Sequence, residues 1–385
     1  MDPAVQPPSS PHPVVVVLVT HDAPDERFDQ VLHALAAQDH PNLDVFVVAT
    51  GSVDPTERVG AVLPSTHVHR IEGDVGFGEA ANTVLDRVSG AAFYVFAHDD
   101  AAPDPGAVSA LVAAADQWDA DVVGPKLVQW DDPRRLTQFG LAVDRLGVAL
   151  PVVERGELDQ GQHDGLRDVF AVPGAFTLVR ARRFAEIGGF DEAIDFQNDD
   201  LSLAWRARVA GARVLVTSAA RVRHAEAYAT RDRAGDAARL SARHRVRVLL
   251  SSYRLWTLLL VVPQAVALMV AETLGALATG RLDRAGAALG AWPWNLWHLP
   301  SLLSARHEVA RFRRTSDREV RRHQVRGLVG PRLTLLRVGV GGRASGRLGS
   351  RRVTAVPVRG RMDVDPAAWS PGTAIVALCL AAVVV

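Results

Sequence analysis

Phe93-Tyr-Val-Phe-Ala-His-Asp-Asp100 is an apolar run that ends abruptly in two carboxylates. A strand buried on both faces tolerates no unpaired charge, so acids at its carboxyl end face a crevice. In an open α/β sheet, the crevice beyond the carboxyl ends of the strands is where ligands bind. A Gly-rich turn, Gly73-Asp-Val-Gly-Phe-Gly78, precedes this stretch, and a second acidic pair, Asp199-Asp200, follows it.

Working outward, strand-like and helix-like segments alternate. Val14 to Thr20, Leu43 to Ala49, Val68 to Ile71 and Ala91 to Ala97 read as strands. Between them, Phe28 to Gln38 places Phe28, Val31, Leu32 and Leu35 on one helical face, and Glu79 to Val88 forms a helix opening after Gly76-Phe-Gly78. Pro105 to Gln117 is a helix and Asp121 to Gly124 starts another strand. This order predicts an α/β domain over residues 14–235, with a mostly parallel sheet and helices on both faces. After Gln129 the pattern loosens. Ala171 to Val179 reads as a strand and Arg180 to Ile187 as a short helix stopped by Gly188-Gly189. Asp200 to Ala210 is a helix closed by Gly211, and Arg213 to Val216 is a last strand.

The 385 residues suffice for one large domain and an appendage. Lys+Arg and Asp+Glu balance at 43 each, so net charge selects no partner, and no nucleic-acid partner is expected. Lys126 is the only lysine, while Arg crowds the segment from Arg306 to Arg361, a bias of coding rather than of chemistry. The single Cys379 excludes an intrachain disulfide and a Cys-based zinc site, which fits a reducing compartment. Residues 1–13 are Pro/Ser-rich, lack the basic and apolar regions of a secretory signal, and read as a disordered leader.

Leu255 to Thr279 holds one charge, Glu272, in 25 residues; as a helix it would be ~37 Å long, enough to cross a hydrocarbon core. Gly286 to Leu303 is a second apolar segment, with Trp292, Trp294 and Trp297 suited to a membrane interface. Arg243, Arg245, Arg247 and Arg254 flank the first segment, and Arg306, Arg311, Arg313 and Arg314 follow the second. Residues 240–305 therefore fit a hairpin with both ends cytoplasmic, two kinked helices lying in the interface, or a buried helical pair. Residues 306–370 read as an Arg-rich cytoplasmic segment. Residues 371–385 look like the start of a transmembrane helix in a chain expected to continue.

Taken in order, these pieces resemble a family 2 glycosyltransferase of the GT-A (nucleotide-diphospho-sugar transferase) fold, over about Val14 to His224. The nearest look is to bacterial rhamnosyl- and galactofuranosyl-type enzymes. The resemblance rests on Thr20-His21-Asp22 after the first strand, on Val47 to Ser52 with Gly51 and Asp54, and on Gly73 to Asn82. It rests further on His98-Asp99-Asp100, which matches an Asp-x-Asp motif with His98 at its first position. The last matches are Gly188-Gly-Phe-Asp-Glu192 and Asn198-Asp-Asp-Leu-Ser-Leu-Ala-Trp-Arg206. The family pattern usually has acids where Ala49, His98 and Ser202 stand.

The resemblance implies roles. Thr20, Asp22, Gly51, Asp74, Gly76, Phe77, Asn82 and Asp99 would contact a nucleoside-diphosphate sugar donor. Asp100, His224 and His98 would hold Mg²⁺ or Mn²⁺ against the donor diphosphate. Asp200 would be the base of an inverting transfer, Asp199 would raise its pKa, and Arg206 would orient it. The acceptor would be a glycan or polyprenyl-linked glycan, and the enzyme would sit at the cytoplasmic membrane with its catalytic domain facing the cytoplasm. Read without the resemblance, His98-Asp-Asp100 also fits an Asx turn, Asp199-Asp200 a helix cap, and the whole a sugar nucleotidyltransferase or a non-catalytic scaffold. Trp130 and Trp205 fit either packing or an acceptor platform.

Overall fold

The computed structural model describes residues 12–23, 25–73, 75–227 and 237–325. Asp74, most of the leader, residues 228–236 and the chain after residue 325, with the rest of the Arg-rich segment and the terminal apolar one, lie outside the described residues.

Strands β1 (Val14–His21), β2 (Leu43–Thr50) and β3 (His67–Ile71) run parallel, and β4 (Phe93–His98) adds in parallel on the other side of β1. Helices α1 (Glu26–Ala36), α2 (Thr56–Val62), α3 (Phe77–Asn82) and α4 (Val84–Arg87) make the crossovers. The expected Glu79–Val88 helix is thus two short ones that meet at Thr83, whose hydroxyl bonds the Ala80 carbonyl. The short strand β5 (Ala101–Pro103) and helix α5 (Ala107–Gln117) lead to β6 (Val122–Gln129). Four three-residue strands follow: β7 (Leu136–Gln138), β8 (Leu141–Val143), β9 (Ala149–Pro151) and β10 (Leu166–Asp168). They are too short for period-2 alternation to register in the sequence.

Next come β11 (Phe176–Arg180), α6 (Ala181–Glu186), α7 (Asp199–Val209) and β12 (Val214–His224). The main sheet has the order β10-β12-β6-β11-β4-β1-β2-β3. Strand β11 is antiparallel to both of its neighbours, β4 and β6, so the mostly parallel sheet is mixed at its centre. Strand β12 outruns the expected Arg213–Val216 because its register shifts between Thr217 and Arg221. Beyond the shift it continues along β6 and pairs His224 with Ala101.

Alternate residues of β1 face opposite sides of the sheet. Val14, Val16 and Leu18 pack with Phe28, Val31, Leu32 and Leu111 in one core layer. Val15, Val17 and Val19 belong to the other, with Ala80, Phe184, Leu201 and Trp205. Trp205 is fully buried, edge-on to Phe170 and Tyr253 with ring centroids 5.2 and 5.1 Å away, so it is a packing residue. Burial of a side chain of this size contributes on the order of 2–3 kcal/mol. Trp130 lies under the Arg223 guanidinium, 5.1 Å from ring centroid to Cζ.

Five helices follow: α8 (Ala237–Ser252), α9 (Leu255–Ala278), α10 (Leu282–Trp297), α11 (Leu299–Phe312) and α12 (Asp317–Val320). Helix α8 is bolted to the sheet domain. Its buried Arg247 makes two 2.8 Å bonds to the Asp191 carboxylate, and cutting one partner from such a pair costs about 3–5 kcal/mol. Arg245 pairs with Glu272 of α9 at 3.0 and 2.8 Å. Arg306 donates to the Leu250 and Tyr253 carbonyls, Arg313 holds Asp317, and Arg314 holds Glu186. Much of the basic flank expected to set membrane orientation is therefore consumed by internal pairing. The second apolar segment breaks at His298 into α10 and α11, and among the described residues α9 alone is long and apolar enough to cross a membrane.

Candidate active site at the carboxyl ends of the central strands

Val19 of β1 lies beside His98 of β4, so the residues just past each strand converge at one edge of the sheet. Asp99, buried, turns back toward β1: its Oδ2 accepts from Thr20 Oγ1 at 2.9 Å and from the His21 N–H at 3.3 Å. Asp100 turns the other way. Its carboxylate accepts the Ala227 N–H at 2.7 Å and lies 3.3 Å from His224 Nε2 and 4.0 Å from His98 Nδ1. Phe77 stands edge-on to His98, ring centroids 4.7 Å apart, and fixes that imidazole.

Burial alone would raise the Asp100 carboxyl. The hydrogen bond and charge of His224, the charge of His98 and the Ala227 N–H outweigh it and hold Asp100 well below the usual carboxylate range. Burial pushes the His98 imidazole down, against the pull of Asp100. One ligand atom each from His98, Asp100 and His224 falls within 4.8 Å of the others, the spacing of donors around one ion. Among the described residues, His224 Nδ1 is buried without a hydrogen-bond partner. A permanently ionised carboxylate between two imidazoles is a donor set that fits a divalent cation, with a softer character than an all-oxygen site.

The second acidic pair enters from α7. Gln197 and Asn198, neither of them glycine, take φ of 63° and 67° in succession, a conformation that costs about 1–3 kcal/mol each and persists only where the surroundings enforce it. Helix α8 enforces it. His244 Nδ1 lies 2.6 Å from the Phe196 carbonyl oxygen, and Asn198 Nδ2 donates to the Ser241 carbonyl at 3.0 Å. Asp199 and Asp200 are thereby set in the first turn of α7, where the helix dipole favours anions. Burial pushes both upward even so. Asp200, repelled in addition by Asp199, rises to about 7. The Leu201 and Gly174 N–H groups oppose the rise.

Both groups of residues line one cavity of about 340 Å³. Of the residues expected from sequence, Phe77, His98, Asp99, Asp100, Asp199, Asp200 and His224 stand in its wall. Others stand behind it. Thr20 holds Asp99. Asp22 clasps the next turn, its Oδ1 accepting the Ser52 and Val53 N–H groups at 2.6 and 3.0 Å. Gly51, at φ 90°, leaves room for that clasp, since a Cβ there would fall 2.4 Å from Asp22 Oδ1. Gly76 is pressed against the Asp195 backbone, which a Cβ would meet at 2.5 Å.

Asn82 brackets Phe190, donating to its carbonyl at 3.0 Å and accepting its N–H at 2.8 Å. Arg206 does not orient Asp200. Nearly two turns along α7, it is buried and donates to the carbonyls of Ile187 and Gly189, securing the Gly188-Gly189 turn. Reasoning from the sequence missed Thr50, Gln138, the Pro173-Gly174 turn and Glu226, all in the cavity wall. It also missed His244, whose neighbours Arg243, Arg245 and Arg247 read as a membrane flank.

The model of the glycosyltransferase-like family 2 matches residues 11–246. An N-acetylglucosaminyl-diphospho-decaprenol L-rhamnosyltransferase of Mycobacterium tuberculosis is 25% identical over 256 residues, 60% of this chain and 81% of that protein. The O-antigen biosynthesis protein RfbC of Myxococcus xanthus is 27% identical over 57% of this chain, though only 18% of its own length is covered. Among solved structures, S. aureus TarS 1–349 aligns at a TM-score of 0.45 and 16% identity, over 83% of this chain and 95% of that one. The family match spans well over half of the sequence and includes both acidic pairs and His224, so the chain belongs to glycosyltransferase family 2 and carries the GT-A fold.

Proposed function

We propose that this glycosyltransferase moves a sugar, with inversion at the anomeric carbon, from a nucleoside-diphosphate donor to a lipid-linked cell-envelope glycan. One observation carries the reading: Asp200, raised to about 7, shares a single cavity with the His98–Asp100–His224 cluster. A base with a pKa near the working pH is suited to taking a hydroxyl proton. In this reading the acceptor hydroxyl donates to Asp200 and its oxygen attacks the anomeric carbon as the bond to the nucleoside diphosphate breaks. The proton ends on Asp200.

Asp199 keeps Asp200 basic, and Asp99, tied to Thr20, holds the strand ends where the donor's ribose would lie. His98, Asp100 and His224 would hold the divalent cation; Mn²⁺ suits one carboxylate and two imidazoles better than the oxygen-seeking Mg²⁺. Such an ion, when bound, neutralises charge on the departing diphosphate.

The rhamnosyltransferase relative makes a deoxyhexose the first donor to try and a diphosphate-linked lipid the first acceptor. Membrane association would be peripheral, through exposed apolar side chains on the outer helices. Trp256 and Trp297 are 82% and 87% exposed, and Leu255 and Leu260 stand beside Trp256 on α9. The cytoplasmic face, where nucleotide sugars are made, is the side proposed.

The test is product analysis. Purified protein, Mn²⁺, a panel of donors that includes dTDP-L-rhamnose, and a short-chain polyprenyl-diphospho-N-acetylglucosamine are combined, and NMR reads the new linkage. Inverted stereochemistry supports the reading; retention of configuration refutes it.

A further inference from the structure

A second concavity, about 280 Å³, lies between α8, α9 and α10. Ala238, Ala242, Gly275, Ala276, Ala287 and Ala288 form walls with almost no side-chain bulk. Its charges are Arg245, Glu272, Arg281 and Arg284. Arg245 and Glu272 satisfy each other through two bonds of 3.0 and 2.8 Å. The Arg281 and Arg284 guanidinium groups have no hydrogen bond or ion pair with the described residues, and Asp283 between them does not line the concavity. The space therefore presents two free guanidinium groups, with the Ser241 and Thr279 side chains beside them.

Leu277, Leu282 and Leu289 are exposed on α9 and α10, each next in sequence to a lining residue. The two cavities adjoin at the first turn of α8. Ala237 lines the catalytic cavity and Ala238 lines this one, and consecutive Cα atoms are about 3.8 Å apart. Ser241 lines this concavity while its carbonyl holds Asn198, a residue of the catalytic cavity.

Paired guanidinium groups match the forked oxygens of phosphoryl groups, and small walls admit a bulky polyanion. The exposed leucines of α9 and α10 suit a hydrocarbon chain joined to that anion. We infer that this concavity binds the diphosphate of the lipid-linked acceptor, so that the sugar on that diphosphate reaches past the first turn of α8 toward Asp200. The inference rests on the proposed transfer to a lipid-linked glycan. It adds Arg281 and Arg284 as residues that select acceptors carrying a phosphoanhydride.

Binding of farnesyl diphosphate to the full chain in detergent, measured calorimetrically with EDTA present, tests this without turnover. EDTA removes the cation on which diphosphate binding in the catalytic cavity would depend. The expected result is saturable binding that falls at least tenfold in Arg281→Glu/Arg284→Glu, with a smaller fall in Arg281→Gln alone. Farnesol should not bind. Equal affinity in the wild type and the double variant would overturn the proposal. So would inorganic diphosphate binding as tightly as farnesyl diphosphate, which would mark a site for a soluble anion. Mn²⁺-dependent binding of a nucleoside diphosphate to the wild type is measured in parallel. Its absence would count against the transfer reaction, whatever farnesyl diphosphate does.

Discussion

His224 Nε2 sits 3.3 Å from Asp100 Oδ1 because β12 shifts register at Thr217/Arg221 and then pairs His224 with Ala101, the residue after Asp100. A strand irregularity thus completes the cluster that the end of β4 begins. If the three hold a cation as proposed, losing one of them would weaken its binding more than it would damage the fold. His224→Ala should raise the Mn²⁺ concentration for half-maximal turnover at least tenfold while leaving the melting temperature nearly unchanged. A manganese titration of nucleotide release checks it.

Asp200 as base predicts a turnover rate that climbs with pH and levels off above a midpoint near its pKa of about 7. Asp199→Asn removes the neighbouring charge but not the burial, so the midpoint should move down without returning to that of a free carboxyl. Asp200→Asn should lose about 10²–10⁴-fold in kcat, the usual worth of a general base. The pH profiles of kcat for the three proteins decide this.

The same carboxyl costs stability. Its native pKa of about 7 exceeds the unfolded value of 3.8, so between these values the native state binds the extra proton. Stability therefore falls as pH rises through that window, and the loss is complete above about pH 7. Full linkage would be ~4 kcal/mol; partial exposure of the pair reduces this to about 1–2 kcal/mol. Asp200→Asn, uncharged throughout, should melt a few degrees above wild type at pH 8 and level with it near pH 4. Melting curves at the two pH values test the sign.

A Cβ on Gly174 would lie 3.6 Å from Asp200 Cβ and 3.8 Å from both Asp199 Oδ2 and His98 Nε2. Gly174 thus lies between Asp200 and His98. Those distances are ordinary van der Waals contacts, so Gly174→Ala should fold and work. Gly174→Leu would fill the space between the two groups and should raise the donor KM at least tenfold with little change in melting temperature. Steady-state kinetics on both variants, beside their melting curves, tests this.

Much of this site was legible in the sequence because its parts are local. An apolar strand ending in Asp99-Asp100, a helix opening with Asp199-Asp200 and a strand ending in His224 each mark a place where charge meets a buried element. What escaped was long-range or too short to show a period. Arg206 stands with Asp200 in the family pattern, yet its side chain secures the Gly188-Gly189 turn instead. His244 sits in a basic run that suggests a membrane flank, whereas Arg245 and Arg247 are spent on Glu272 and Asp191. Only the tertiary fold reveals those acids as their partners. The second apolar segment has the composition of a span but not the continuity, because the chain turns at His298.

Nucleotide release in the presence of Mn²⁺, a donor panel and an acceptor-bearing membrane fraction tests the central claim most directly. Release from one donor is expected, abolished by EDTA and by Asp100→Ala and reduced about 10²–10⁴-fold in Asp200→Asn. Turnover undiminished in EDTA, or an Asp200→Asn variant working at the wild-type rate, would contradict it.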